Sequence, residues 1–524
     1  MGYYLFQSLT FRVLLKINYM QKPIVFPWFV IIPLILSVGS CSSERNRKAD
    51  SILPNIVLIL ADDMGYGDVS CFNPMSKIQT PHIDKLALEG MMFTDAHSPS
   101  AVCTPSRYGL LTGRYCWRTR LKKGVILGYD EAPLIVSGQE TIASLLKERG
   151  YTSACIGKWH VGLNWQTKDG YQMQDDNNQY QDYSGVYRKN EEHVDFEKEI
   201  RGGPLDVGFD YFFGTQGCST GDPPYCFIEN KKTLGIPTIP SPDEFTKHPG
   251  VAPGLMVPEW SSETVDVTFT EKAIAFIDKM QTESKADPFF LYLALSSPHI
   301  PFLPPDFAIG KSEEGGRGDL VTVVDWSVGQ IVDVLNRYDI QDNTLLIVTS
   351  DNGPRRGANG HQSAGKFRGY KANIWEGGHR VPFIARWPGK IKAGAQSDQV
   401  LSLTDLLPTF DFISNEDKQV KAYEDAYNIW PAFIGEEVEE ADEMVRIFHS
   451  ALGIFAIRRG AWKLIQGTKG PGSGRFTVPQ DSLKLIGQLY NLASDPGETK
   501  DLWNQYPELV QELTNILEER KNTR

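Results

Sequence analysis

Along this chain, largely apolar runs of five to seven residues alternate with segments whose apolar positions recur every three or four residues. The runs are Ile56-Val57-Leu58-Ile59-Leu60, Tyr151 to Ile156, Phe289 to Leu295 and Thr344 to Thr349. A strand that is apolar at every position is covered on both faces, the condition of a central strand in a parallel sheet. Helical spacing occupies Thr80 to Gly90 (Ile83, Leu86, Ala87), Thr141 to Arg149, Glu263 to Met280 and Val321 to Leu335. Pro81 falls in the first turn, where its missing N–H is harmless, and Gly150 follows the end of the second segment. Strands and helices that alternate in this way predict an α/β fold, a large mixed, mostly parallel sheet sandwiched by helices. From Val445 the pattern changes. Phe455 to Ile465 reads as a hairpin, Leu489 to Leu492 as a short strand, and Pro507 to Arg520 as an amphipathic helix. We therefore expect a main domain over 52–440 and a smaller C-terminal α+β subdomain of antiparallel strands and a helix over 441–524. Asn164 to Pro258, rich in Gly, Pro and polar residues, predicts insertions around the mouth of a site.

The first forty residues add a targeting segment. Arg12, Lys16 and Lys22 precede an apolar stretch that ends in Ser37-Val38-Gly39-Ser40-Cys41, the order of an export signal. Interrupted by Pro23, Pro27 and Pro33, this stretch falls short of the roughly 20 apolar residues of a spanning helix. Residues 1–40 thus read as a lipoprotein signal peptide, Cys41 as the lipid-bearing first residue of the mature chain, and 41–51 as a tether. Met20 is an alternative start. The expected location is the periplasm or the outer-membrane surface of a bacterium, with membrane attachment through Cys41 only.

With 524 residues, 41% of them hydrophobic, the chain can bury a large core. Its formal charge of −12 argues against nucleic acid as a partner, which needs Lys- and Arg-rich surfaces. An anionic small substrate would have to be captured by a local basic or metal site against this field. Of seven cysteines, an odd five remain beside Cys41 and Cys103, so no complete disulfide framework is implied, although Cys218 and Cys226 could close a small loop.

Four polar clusters directly follow the predicted strands: Asp62-Asp63, Gly157-Lys158-Trp159-His160, Ser297-Pro298-His299 and Ser350-Asp351-Asn352-Gly353. In parallel sheets, functional groups gather at these carboxyl ends. Asp62, Asp63, Asp351 and Asn352 offer three carboxylates and an amide oxygen, a donor set for a hard cation; calcium fits it better than zinc, with magnesium an alternative. Taken singly, each pair also reads as a turn or a helix cap. Cys103-Thr104-Pro105-Ser106-Arg107 suggests a strained loop feeding a helix, with a reactive side chain beside an always-charged guanidinium. His160 and His299 suit proton transfer, because an unperturbed imidazole titrates near working pH.

The Cys103–Arg107 run, continued to Gly113-Arg114, resembles the signature of the type I sulfatases, in which that cysteine is oxidised to formylglycine (3-oxoalanine). Gly150 to His160 resembles the family's second signature. Lys371, ahead of Trp375-Glu376-Gly377-Gly378-His379-Arg380-Val381-Pro382, resembles its sulfate-binding lysine. The likeness extends from Pro54-Asn55 to Leu489-Tyr490-Asn491-Leu492 and Asp495-Pro496. It implies an alkaline phosphatase-like fold and one calcium ion held by Asp62, Asp63, Asp351 and Asn352, also touching the modified Cys103. It further implies that the hydrated aldehyde attacks sulfur while Arg107, Lys158 and Lys371 hold the sulfate oxygens. His299 would protonate the leaving oxygen, a task Lys371 can share, and His160 would take a proton as sulfate is expelled. A formylglycine-generating maturation enzyme is then a required partner.

The leaving group is chosen by variable loops, where His361, Arg368 and Trp375 are the candidate substrate contacts, with Tyr66, Arg118, Asp222 and Tyr225 further possibilities. The expected substrate is a sulfated carbohydrate, a galactose or N-acetylgalactosamine sulfate of a glycan or algal polysaccharide. Two other readings compete with this one. A phosphatase or phosphodiesterase of the same superfamily would use two zinc ions and a Ser or Thr nucleophile, and a glycan-binding lipoprotein would be non-catalytic.

Overall fold

The computed structural model describes residues 53–129, 132–173, 186–285, 287–415, 420–467 and 487–523. The signal peptide, Cys41 and the tether lie outside the described residues. In chain order the elements that frame the site begin with β1 (Asn55–Ala61), α1 (Pro81–Glu89), β2 (Met91–Phe93), α2 (Cys103–Thr112), α3 (Ile142–Glu148) and β3 (Thr152–Lys158). There follow β4 (Tyr211–Thr215), β5 (Ile228–Glu229), β6 (Lys232–Thr233), α4 (Val265–Glu283), β7 (Phe289–Ala294), α5 (Gly316–Arg337) and β8 (Thr344–Ser350). After these come β9 (Phe383–Arg386), β10 (Ala395–Ser397), α6 (Leu406–Ser414), β11 (Val445–His449), β12 (Phe455–Arg459), β13 (Trp462–Ile465), β14 (Gln488–Asn491) and α7 (Pro507–Asn522).

Ten strands form one sheet in the order β10-β2-β9-β8-β1-β7-β3-β4-β5-β6. Its central five, β8 to β4, are parallel, and antiparallel pairings begin at β9 and at β5. β1 is the middle of the architecture: Ile56, Leu58 and Leu60 face one core, with α2, α3 and α6, while Val57, Ile59 and Ala61 face the other, with α1, α4 and α5. This is why the run carries no polar residue. All seven positions of β1 are buried. Strand register brings Ala61 beside Ser350 and Leu60 beside Ala294, so three strands end level on one edge.

Ile52–Arg524 form one compact unit, and the sheet expected after 440 is part of it. That sheet is antiparallel, in the order β11-β12-β13-β14. Ile447, Ile457, Leu464 and Leu489 pack against Leu513 and Leu517 of α7, and Phe448, Ala456, Ile465 and Tyr490 pack against Ile374 and Trp375. A buried ionic seam joins the two sheets. Lys463 Nζ lies 3.0 Å from Glu376 Oε1 and 2.9 Å from Glu498 Oε1, and Arg458 binds both oxygens of Asp95.

Some expectations change. Val102 caps α2 in extended conformation and the helix starts at Cys103 itself, with no positive φ nearby, so no strained loop feeds it. Pro105 is accommodated because the first-turn N–H groups have no intrahelical partner. The irregular stretch 164–258 contributes β4, β5 and β6 to the main sheet. Cys218 and Cys226 are both free thiols.

Candidate active site

The level carboxyl ends of β8, β1 and β3 each deliver their next residues to one buried place. Asp62 and Asp63 follow β1, Asp351 and Asn352 follow β8, and Lys158 is the last residue of β3. Gly157, at φ +115°, permits the close approach of β3 to β7: a Cβ there would sit 1.9 Å from the Ala294 carbonyl oxygen. Asp63 and His160 are left-handed, at φ 68° and 57°, a conformation that costs a non-glycine residue about 1–2 kcal/mol and that clusters at functional sites.

The four oxygen-bearing side chains meet. Asp63 N–H donates to Asp351 Oδ1 (3.2 Å) and Asn352 Nδ2 to Asp63 Oδ1 (2.8 Å). Asp62 Oδ1, Asp63 Oδ2 and Asn352 Oδ1 are buried acceptors without a hydrogen-bond partner among the described residues. Buried orphan acceptors are costly, and three of them together fit a hard cation of the calcium or magnesium type. Burial, followed by the negative charge of Asp62 and against the pull of Arg107, pushes the Asp351 carboxyl up to about 8. Asp62 is held well below the usual carboxylate range: burial opposes this, and Lys158, His299, Arg107 and Lys371 prevail.

Cations ring this cluster. Arg107, fully buried, donates Nε to Asp351 Oδ2 and Nη1 to the Lys158 carbonyl, both at 2.9 Å. Lys158 Nζ reaches Asp62 Oδ2, and Lys371 Nζ reaches Asp63 Oδ1, each at 2.5 Å. Cys103 lies within the same cluster as His160 and Cys218, their ligand atoms all within 4.8 Å of one another. Burial raises the Cys103 thiol, but the hydrogen bond from Cys218 and the charges of Lys158, His160 and Lys371 bring it well below its usual value. Arg107, Lys158 and Lys371 concentrate positive charge beside Cys103, the setting in which an oxyanion is stabilised.

Two histidines face it, each held by a carbonyl. His160 Nε2 is 2.9 Å from the Ile126 carbonyl oxygen, which can only accept, so Nε2 carries a proton, and Nδ1 is buried with no hydrogen-bond partner among the described residues. His299 donates Nδ1–H to its neighbour's carbonyl, Ile300 O, at 2.7 Å. Its Nε2 points to Cys218 Sγ (3.8 Å) and Asp63 Oδ2 (4.0 Å). Burial, then Lys371, pushes His299 down to about 4.

Cys103, Arg107, Lys158, His160, His299, Lys371, Asp62, Asp63, Asp351 and Asn352 are thus brought together. The three expected substrate contacts are engaged with other partners. His361 is buried with Nε2 2.8 Å from Asp68 Oδ1, in a cluster that includes Arg317 and Glu314. Arg368 stacks on Trp375 at 3.8 Å and donates to the Glu498 carbonyl, while Trp375 Nε1 donates to Gln488 Oε1. Both belong to the junction with the C-terminal sheet. Arg118 pairs with Asp425. Sequence reading missed Cys218, whose Sγ accepts from Lys158 Nζ at 3.3 Å, and Arg355, whose Nε lies 3.6 Å from Asp63 Oδ2. Arg355 follows Asp351-Asn352-Gly353-Pro354 closely enough to have been a candidate; no local signal marks Cys218.

The family model described as Sulfatase matches residues 54–410. An N-acetylgalactosamine-6-O-sulfatase of Bacteroides thetaiotaomicron is 32% identical, over 94% of this chain and 98% of that protein. The N-acetylgalactosamine-6-sulfatase of Canis lupus familiaris is 29% identical, over 90% and 86%. A solved structure from work on glycosaminoglycan metabolism by Bacteroides thetaiotaomicron superposes with a TM-score of 0.74 at 30% identity, covering 90% of this chain and all of the other. Ps i-CgsB, solved with k-i-k-neocarrahexaose, gives a TM-score of 0.66 at 25% identity, covering 90% and 93%.

Proposed function

The chain belongs to the sulfatase family, and from that premise we propose that it hydrolyses the 6-sulfate ester of N-acetylgalactosamine in a glycan. The observation that carries the reading is the convergence of three orphan carboxylate and amide oxygens with Cys103, three cations and two carbonyl-held histidines on one sheet edge. The choice of sugar and position leans on the printed activities of the two relatives.

Asp62, Asp63, Asp351 and Asn352 would hold a calcium ion, which when bound supplies positive charge against the sulfate oxygens. Oxidation of Cys103 to formylglycine by a maturation enzyme would provide, as the hydrate, a hard oxygen nucleophile in place of a soft thiolate. Arg107, locked by Asp351 and the Lys158 carbonyl, orients that nucleophile. Lys158 and Lys371 exchange their contacts with Asp62 and Asp63 for sulfate oxygens, and the buried setting strengthens each such contact. Burial and then the Lys371 charge keep His299 neutral; the incoming anion offsets the second of these, so that His299 can carry a proton on Nε2 and deliver it to the leaving sugar oxygen. His160 Nδ1 takes up the proton released as sulfate departs. Export of the chain and lipid attachment at Cys41 belong to the same reading, and a Cys41→Ser chain should lose labelled-palmitate incorporation.

Two measurements test the proposal. Mass spectrometry of the Cys103 peptide should show a loss of about 18 Da as thiol becomes aldehyde, and a panel of sulfated mono- and disaccharides should release sulfate first from the N-acetylgalactosamine 6-sulfate member. A fully active protein with an intact Cys103 thiol overturns the mechanism. Release of phosphate from phosphoesters at the higher rate overturns the reaction class.

A further inference from the structure

His299 stands on a segment with no regular structure of its own: β7 ends at Ala294, and Leu295 to Pro301 crosses the site edge as a turn. The ring's hydrogen bond to Ile300 O is internal to that segment, so it orients the imidazole without tying it to the scaffold. The tie comes from α4. Asp266, in its first turn and 5% exposed, accepts the Ser296 N–H on Oδ1 and the Ser297 N–H on Oδ2, both at 2.7 Å. Ser296 O then accepts the His299 N–H at 3.0 Å, and Ser297 O accepts the Asp62 N–H at 3.0 Å. The other ties, Ser297 O to Asp62 N–H, Leu295 N–H to Leu60 O at 2.9 Å and Thr220 Oγ1 to Ile300 O at 3.3 Å, all join neutral groups. Bonds to a carboxylate are roughly twice as strong.

We propose that Asp266 is a positioning residue for the reaction, its carboxylate clamping two consecutive amides so that His299 Nε2 stands where the leaving oxygen arrives. The clamp has two points, which fixes rotation of the segment as well as its position. It is anchored on the nineteen-residue α4, packed into the core through Phe269, Ala273 and Ile277. A shift of about 1 Å in a proton donor can cost on the order of 100-fold in rate. The inference rests on His299 as the proton donor of the reaction proposed above.

The test is a double-mutant cycle on the full chain, with kcat and KM measured for the sulfated sugar on which the wild type turns over. Asp266→Ala should lower kcat by on the order of 100-fold with little change in KM, and Asp266→Asn, which keeps one acceptor, should lose less. In the His299→Ala background, Asp266→Ala should change kcat by no more than about twofold, because the group it positions is gone. The same loss in both backgrounds marks a merely structural residue and overturns the proposal. Wild-type kcat in the Asp266 variants, with His299→Ala impaired, overturns the positioning role alone. Undiminished kcat in His299→Ala removes the proton donor and the positioning role together. Should Asp266→Ala fail to fold, the cycle is read with Asp266→Asn, and its melting temperature separates loss of fold from loss of rate.

Discussion

Cys103 and His299 are the single residues on which the proposed chemistry depends most, and their replacement should separate rate from stability. Cys103→Ala should reduce sulfate release to background while costing about 1 kcal/mol of stability, read as kcat and as a denaturation midpoint. His299→Ala should lower kcat on a sugar sulfate by roughly 10²–10⁴-fold, the range of general acid catalysis, and by much less on 4-nitrophenyl sulfate, whose leaving group needs no proton. A histidine outside the site contributes to acid stability. His449, at the end of β11, is buried and pushed down to about 4 by burial, a carbonyl contact with Ser450 opposing. The unfolded chain takes up that proton near 6.5. Its stabilisation is therefore complete above about 6.5 and lost as pH falls towards 4, by about 3 kcal/mol in all. His449→Gln should flatten the denaturation midpoint over that window. Cys103, Lys158, His160 and Asp351 could be picked out as candidates because each sits in a local run of matching chemistry, and the fold brings them to one place. The buried pairing of His361 could not be read: its partner Asp68 lies 293 positions away, and a histidine looks the same in sequence whether it faces substrate or a buried carboxylate.

The elements divide along the same line. β1, β7 and β8 could be read directly, since burial on both faces demands an uninterrupted apolar run. β4, Tyr-Phe-Phe-Gly-Thr, carries the same physical signal in five residues, yet it stands amid Gly, Pro and polar loops, and only its pairing with β3 distinguishes it. The C-terminal sheet was legible as a hairpin and a helix, but its second role was hidden. Through Trp375, Ile374 and the Lys463–Glu376–Glu498 seam it buttresses the segment that carries Lys371. Lys463→Met should leave buried Glu498 without its cation, while Glu376 keeps Arg380 at 2.9 Å, and cost roughly 3–5 kcal/mol, measured by denaturant unfolding. Part of that loss should be recovered at mildly acid pH, because burial already pushes Glu498 up to about 7 against Lys463, and protonation removes the stranded charge.

For the whole molecule, the proposed cation site would couple function to folding, since Asp62, Asp63, Asp351 and Asn352 come together only in the native chain. Calcium at 100 times its dissociation constant should stabilise the protein by about 2.7 kcal/mol. A chelator should lower the melting temperature and the activity together, and Asp63→Ala should abolish the calcium-dependent shift. An unchanged melting curve on addition and removal of calcium or magnesium would contradict the site. Against the net charge of −12, Arg107, Lys158 and Lys371 gather on one edge, each paired there with Asp351, Asp62 or Asp63. Local order in the chain settled the alternation of strands and helices and the donor types, which follow from periodicity and side-chain chemistry within a few positions. Folding alone settled which described oxygens were left without partners, which nitrogen of His160 meets a carbonyl, and that Asp266 holds the turn bearing His299. Those are relations between groups tens to hundreds of residues apart, and they exist only where parallel strands end side by side.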